Sequence, residues 1–429
     1  MMAFRFRASR QLCRAVLLLM ASALCLPANA APPAPLTLRE AIDAALAHNP
    51  DLGVFEFDLR AADAVRAQVA LRPAPTVEAT LENFAGTGEA QGLKSSETTL
   101  ALSQVIELGG KRDSRVGVAG AARDALTTAR QAAQLDVLGE VTRRFIAVAA
   151  LQEHVRLNQR ATELAETTLK ASDLRVRAAK APHVEFDRAT ISLERARLDE
   201  RRARSELDAG RRSLAALWGA NDAVINSQPL GEVRGDLRQL PEMEDFGVLM
   251  DRLQSSPDFL RFASEERLRD AELRLAATGR RPDVTFSGGV RRLQGTQDMA
   301  LVASFSIPLF SGRRADSFIA EAAARRDAVG AMREAALVKA RAELFRLYQA
   351  LKEASAAVES LDGTLAPRME EALKETEYAF ERGRYSYLEL IDAQREYLDL
   401  QRARIDASAQ VQLLATEIER LTNAPLTIP

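Results

Sequence analysis

The feature that most constrains this chain is an unbroken helical pattern. From Lys111 to about Ala178 no proline occurs, and Leu135, Leu138, Val141, Phe145, Val148, Leu151 and Val155 recur at steps of three and four. Such spacing keeps one apolar seam facing a neighbouring helix. From Arg313 to about Phe380 the pattern returns, broken only lightly, with Leu337, Leu344, Leu347, Leu351, Ala354, Val358, Leu361 and Leu365 on a heptad repeat. At ~1.5 Å rise per residue each helix would run for roughly 100 Å, longer than an ordinary globular core. A long coiled-coil hairpin or a tube built of helices is what remains.

Each long helix is entered from an extended segment. Ser103–Arg115 reads S-Q-V-I-E-L-G-G-K-R-D-S-R, and Gly109-Gly110 is the only break between strand and helix. Glycine tolerates φ > 0, so the chain can turn there without a Cβ clash. The second junction, Phe305–Arg314, reads F-S-I-P-L-F-S-G-R-R. Pro308 can end the strand, and Gly312 precedes two arginines as Gly110 precedes Lys111 and Arg112. Two such junctions predict a duplicated unit. Around them, Thr76–Asn83 and Thr98–Val105 alternate apolar and polar residues, and so do two later strands, at about 283–292 and 299–307. Val77, Leu81, Leu100, Phe286, Leu301 and Phe305 fall on one face, and Glu78, Glu82 and Arg291 on the other. These are two hairpins with one greasy side. A half-buried antiparallel sheet explains them; so does a sheet with lipid outside and water inside.

The order repeats: short helix, helix, hairpin, long helix, turn, returning helix. The first unit spans 31–219, with its long helix at about 111–178, a turn at 179–183 and a return helix at 184–218. A Gly- and Pro-rich linker covers 220–245. The second unit spans 246–429, with a long helix at about 313–380, a turn at 382–386 and a return at 387–421. Thr37 with Glu40 makes a capping box for the opening helix, which Asn49-Pro50 stops; Ser256-Pro257 echoes that stop.

Met1–Ala30 stands apart. Arg5, Arg7, Arg10 and Arg14 form a basic region, Val16–Leu26 an apolar core, and Ala28-Asn29-Ala30 an A-x-A cleavage site, so a signal peptide cut after Ala30 is expected. Both cysteines, Cys13 and Cys25, lie within it, leaving no disulfide or thiolate ligand in the mature chain. Leu24 stands where a lipoprotein signal has a small residue, which argues against lipid attachment at Cys25. The full chain carries 58 basic and 60 acidic side chains, and losing four arginines takes its formal net charge from −2 to −6. That balance argues against nucleic acid as a partner. No later stretch is apolar enough for a transmembrane helix, so any membrane entry must be by strands.

Catalytic signatures are missing from the sequence: no G-x-S-x-G, no P-loop, no Cys pair. His48, His154 and His183 are scattered without ligand spacing, so no metal site and no cofactor are expected. Glu389 and Asp392 lie i, i+3 just after the second turn and share a helix face. They compensate the helix dipole or, if several copies surround an axis, form a ring of charge at a constriction.

L-T-L-R-E-A-I-D-A-A-L-A-H-N-P at Leu36–Pro50, A-x-L-R-P-x-P at Ala70–Pro75 and L-E-L-I-D-A-Q at Leu388–Gln394 together resemble the TolC-type outer-membrane factor family. L-E-N at Leu81–Asn83 and L-S-Q-V-I-E-L-G-G-K-R at Leu102–Arg112 look like its branch serving heavy-metal exporters of the cobalt–zinc–cadmium type; where that branch often has P-N-P, this chain has Pro73-Ala74-Pro75. The resemblance implies a mainly α fold with a small β part: a homotrimer in which each protomer gives four strands to a 12-stranded transmembrane β-barrel above a long α-helical coiled-coil barrel. It implies a passive exit duct in the bacterial outer membrane, not an enzyme, coupled through a periplasmic adaptor (membrane fusion protein) to an inner-membrane RND pump. Ala181, Pro182, Gly383 and Ser386 would be the adaptor-docking tips, Glu389 and Asp392 the channel gate, and Gly109, Gly110, Pro308 and Gly312 the strand–helix junctions. The alternatives are a drug-efflux or type I secretion duct of the same fold, or, from another class, a periplasmic coiled-coil adaptor or scaffold.

Overall fold

A computed structural model describes residues 35–225 and 228–423; the expected signal peptide and Cys25 lie outside them. The chain opens with α1 (Leu38–His48), whose N-terminus is held by the Thr37–Glu40 capping box: Thr37 N–H donates to Glu40 Oε2 at 2.8 Å and Glu40 N–H to Thr37 Oγ1 at 3.3 Å. Asn49 then starts α2 (Pro50–Val69). Its Oδ1 accepts from the amides of Asp51 and Leu52, and its side-chain amide donates to Leu217 O at 2.9 Å. One buried asparagine thus caps a helix and ties it to the far end of the first helical hairpin.

Two antiparallel hairpins follow in their respective repeats: β1 (Thr76–Glu82) with β2 (Glu97–Ile106), and β3 (Val284–Leu293) with β4 (Asp298–Ser306). β2 pairs antiparallel with β3, so the two repeats share one four-stranded sheet in the order β1-β2-β3-β4. The register lines up Ala79, Leu100, Val290 and Leu301 in one row, and Val77 with Leu102 in the next.

Below the sheet, α3 (Lys111–Arg177) returns through α4 (His183–Ala215). In the second repeat, α5 (Phe246–Ser255) and α6 (Pro257–Thr278) precede the strands, and the long helix comes in pieces. These are α7 (Ser311–Ser360), a π-helical segment Leu361–Leu365, and α8 (Ala366–Glu381), before the return helix α9 (Tyr387–Thr422). Pro367 explains the interruption. A proline in a helix has no N–H to give the carbonyl four residues back, here Gly363, and its ring presses on that carbonyl. Widening the turn relieves the contact, and Ala366 N–H reaches back to Leu361 O.

Among the described residues three apolar clusters hold the helices. α1 packs Ala41 and Ala45 against Val141, Phe145 and Leu214. α5 packs Leu249 and Leu253 against Leu344, Leu347, Val411 and Leu414. A small third cluster at the turns joins Ala189 to Phe380, Tyr387 and Leu390. The linker lies across the hairpins. Gln152 acts as an extra strand, accepting from Val233 N–H at 2.7 Å and donating to Val233 O at 3.1 Å. Gln412 donates to Gln239 O at 2.7 Å.

Candidate channel wall, junctions and tips

A half-buried sheet would need a layer over its apolar face. Among the described residues this sheet has none. Leu301 is 88% exposed, Val77 71% and Phe305 69%, and Leu100, Leu81 and Phe286 are exposed beside them. Leaving so much apolar surface in water is unfavourable at ~25 cal/mol per Å², which favours the lipid-facing alternative. The opposite face is polar. Glu82, Glu97 and Asp298 sit at the loop end of the strands, Glu78 lies nearer the helices, and Ser287 and Ser304 share a 2.7 Å hydrogen bond. Arg291 is held there, donating to Thr99 Oγ1 at 2.9 Å and Glu97 Oε2 at 2.8 Å, with Glu82 at 3.3 Å. No helix among the described residues is long and apolar enough to cross a membrane.

At the first junction Gly109 (φ +80°) and Gly110 (φ +74°) are both left-handed. A Cβ on Gly109 would also lie 2.8 Å from Arg281 Cδ. The junction is locked across the repeats: Lys111 Nζ donates to Asp283 Oδ1 at 2.6 Å, Leu108 N–H reaches the same oxygen at 3.3 Å, and Arg115 grips Glu107 with both amino groups. The Arg115 guanidinium holds the Glu107 carboxyl below its usual range. The second junction differs from the pattern read in sequence. Its left-handed residue is Phe310 (φ 61°), and Gly312 lies inside the first turn of α7 without positive φ. Phe310 O accepts from Arg314 N–H, so Phe310 does the capping that Gly110 does above α3.

The two turns come together at the far end. Ala179 (φ 53°) and Gly383 (φ 74°) reverse the chain, Pro182 precedes α4, and Ser386 caps α9. Arg175, unnoticed in the sequence, stitches the turns: its guanidinium lies 4.5 Å from the Phe380 ring and donates to Phe380 O at 3.1 Å. Glu389 closes a capping box, accepting from Ser386 N–H at 2.6 Å, and these hydrogen bonds lower its pKa. Asp392 is exposed and has no ion-pair partner among the described residues. Two residues on, on the opposite side of the helix, buried Gln394 donates to Thr168 Oγ1 at 3.0 Å, joining α9 to α3. Burial pushes the neighbouring Glu377 carboxyl up. The His183 ring bonds Asp187 at 3.2 Å and packs edge-on against Phe186, and the His154 ring bonds Asp406 at 2.9 Å. No group of three or more metal-ligating side chains occurs among the described residues.

The model of the family described as outer membrane efflux protein matches residues 41–220 and 248–424. The chain belongs to that family. It is similar to the cobalt-zinc-cadmium resistance protein CzcC of Cupriavidus metallidurans, 27% identical over 393 residues that cover 90% of each chain. It is also similar to the nickel-cobalt-cadmium resistance protein NccC of Alcaligenes xylosoxydans xylosoxydans, 26% identical over 74% of this chain and 71% of the relative. The crystal structure of the outer membrane protein VceC from Vibrio cholerae superposes with a TM-score of 0.70, covering 91% of this chain and 97% of that one at 19% identity, and so shares the fold. The protein is therefore an outer-membrane efflux channel that reaches into the periplasm, an exit duct of a tripartite efflux system rather than an enzyme. The TolC-type resemblance of the opening helix, the R-P-x-P turn and the L-E-L-I-D-A-Q segment led to the same family.

Proposed function

We propose that three copies of this chain close a single 12-stranded barrel, and that the duct carries heavy-metal cations delivered by an inner-membrane RND pump through a periplasmic adaptor. The observation that carries the reading is the uncovered sheet, apolar on one face and acid-bearing on the other. Its outer edges, β1 and β4, are unpaired in the single chain. Open edges are not tolerated in lipid, so β4 of one copy must meet β1 of the next. Three-fold repetition then lines the lumen with rings of Glu78, Glu82, Glu97 and Asp298 around a ring of Arg291, which pairs with Glu82 and Glu97 and leaves a net negative field that favours cations. Likeness to proteins of cobalt, zinc, nickel and cadmium resistance supports that cargo.

The tips Ala181, Pro182, Gly383 and Ser386 are the docking points for the adaptor in this reading, and site-specific crosslinking from position 386 should capture it. Crosslinks found only from Gly86–Lys94, in the loop that joins β1 to β2, would reverse the orientation. Glu389 and Asp392 form the gate beneath. Asp392 offers a free carboxylate, while Glu389 stays on its own helix end until the tips part. Single-channel recording with zinc or cobalt tests the whole reading. Divalent cations should block or permeate the wild-type channel, and Asp392→Asn should weaken the effect more than Glu389→Gln. Unchanged conductance and block in the double variant would remove both residues from the constriction.

A further inference from the structure

The four places where strands meet helices carry more basic side chains than they have acids to pair with. Lys111 is taken by Asp283, Arg115 by Glu107, and Arg280 by Asp316 at 3.0 Å. Arg72, Arg281, Arg313 and Arg314 are left over. All four are exposed, and none has an ion-pair or side-chain hydrogen-bond partner among the described residues. Their placement is repeated: Arg72-Pro73 leads into β1 as Arg281-Pro282 leads into β3, and Arg313 and Arg314 open α7 below β4. The fold brings these segments to one level, because β1-β2-β3-β4 are in register and their helix-side ends meet at the same edge of the sheet. Gly109 contributes directly. Its missing Cβ is the space in which the Arg281 stem lies.

Large apolar side chains stand exposed at the same level: Leu71, Leu309 at 71% and Phe310 at 75%. An apolar residue beside an unpaired arginine is the chemistry of a membrane interface. The ring or aliphatic chain enters the acyl boundary and the guanidinium reaches the head groups. The left-handed Phe310, which the sequence pattern does not call for, carries an exposed ring three and four residues before Arg313 and Arg314.

We propose that Arg72, Arg281, Arg313 and Arg314 form a girdle that binds the phosphate groups of anionic phospholipids in the periplasmic leaflet of the outer membrane, with Leu71, Leu309 and Phe310 as its apolar anchors. The inference rests on the sheet lying in that membrane with its loops outward. The girdle sets the depth of the channel where the helical tube begins, and repetition around a trimer makes it continuous.

The test uses the full channel, purified in mild detergent and exposed to phosphatidylglycerol or phosphatidylcholine before native mass spectrometry. Wild-type protein should retain phosphatidylglycerol in preference. The quadruple variant Arg72→Gln, Arg281→Gln, Arg313→Gln and Arg314→Gln should lose that preference, by roughly fivefold for each arginine removed, the equivalent of ~1 kcal/mol per basic residue near an anionic surface. The matching quadruple Arg→Lys variant should keep it, as should a control with Arg195→Gln and Arg201→Gln on α4. Equal retention by wild type and the glutamine variant overturns the proposal, as does an equal loss in the control. Displacement of the lipid by soluble glycerol phosphate also overturns it, because a plain anion site would then suffice. If the glutamine variant yields fewer trimers but each keeps its lipid, the arginines serve contacts between copies and the girdle is refuted. If it does not fold, wild type showing no preference between the two lipids refutes the girdle equally. Protection of the strands from protease in reconstituted vesicles is read in parallel, so loss of the barrel reading itself is recognised separately.

Discussion

The long helix of the first repeat runs 67 residues without interruption, whereas its counterpart in the second is split by the π-helical segment Leu361–Leu365. The two repeats share their topology and diverge in how firmly each part is held. Asn49 caps α2 with two backbone bonds, while Ser256, at the equivalent helix start, makes no side-chain cap, and its buried Oγ has no hydrogen-bond partner among the described residues. The first junction is clamped by the part-buried pairs Glu107–Arg115 and Lys111–Asp283; the second has the exposed Arg280–Asp316 pair and Phe310 in a left-handed conformation. At the tips the order is reversed, since α9 has a full capping box and α4 begins at Pro182 with none. The first repeat has the unbroken helix, and the second carries both the break and the capped tip with Glu389 and Asp392. If the proposed gate is right, the second hairpin is the one that moves.

The largest effect should fall where the repeats are alike. Leu100→Arg in the first and Leu301→Arg in the second both put a charge on the lipid face, at ~2–4 kcal/mol per protomer near the midplane. Trimer yield in the outer membrane should drop equally for both and much less for Glu82→Arg, which loses only the part-exposed pair with Arg291. A marked difference between the two leucines would mean that the repeats do not contribute equivalent wall.

The junctions should then separate them. Gly109→Ala forces a side chain into a left-handed conformation, about 1–2 kcal/mol, and displaces Arg281 as well. Gly312→Ala sits in a helix turn with open space around it, where alanine gains up to about 1 kcal/mol. Thermal unfolding of the purified channel should move in opposite directions for the two. Movement in the same direction would restore to Gly312 the turn role that its sequence position suggested.

Period-two alternation and heptad spacing depend on local residue order, so the strand faces and the long helices were legible in the sequence. Val77, Leu100, Phe286 and Leu301 share the face expected of them. What was not legible depends on residues far apart or on competing local rules. Gly312 was the natural residue for positive φ, and nothing in the packing of exposed Phe310 explains why it takes that place. Pro367 and Gly363 were visible, but only the helix geometry shows that they widen one turn rather than end the helix. Arg175 reaching Phe380 O, and Asp283 holding Lys111, join segments whose proximity no periodicity encodes.

The broken turn itself offers a smaller handle. Asp362, inside the π segment, is gripped by Arg404 of α9, a half-buried pair that ties the break to the return helix. Asp362→Ala should cost about 1 kcal/mol, at the upper end for partly exposed pairs. It should raise hydrogen exchange at 361–365 without touching α3. Equal loosening of α3 would show that the two hairpins open as one unit and that the break is no hinge.

The smallest effect concerns pH, and it should be confined to the second tip. Two carboxylates there are shifted in opposite directions. Glu377 is raised by burial, so the folded state binds its proton more readily than the unfolded chain. Stability gains from it as pH falls from neutrality towards the usual carboxylate value, 4.5. Glu389 is lowered by the Ser386 hydrogen bonds, so its contribution is complete above that value and is lost as pH falls further. Protection of the first-turn amides of α9 against hydrogen exchange, corrected for the intrinsic pH dependence of exchange, should therefore rise on mild acidification and then fall. Glu377→Gln should abolish the first limb and Glu389→Gln the second. The α4 start at Pro182 has no capping box, so it should show no lower limb of this origin. If both tips quicken together below that value, general acid expansion of the tube is responsible and the capping box is not the acid-sensitive element.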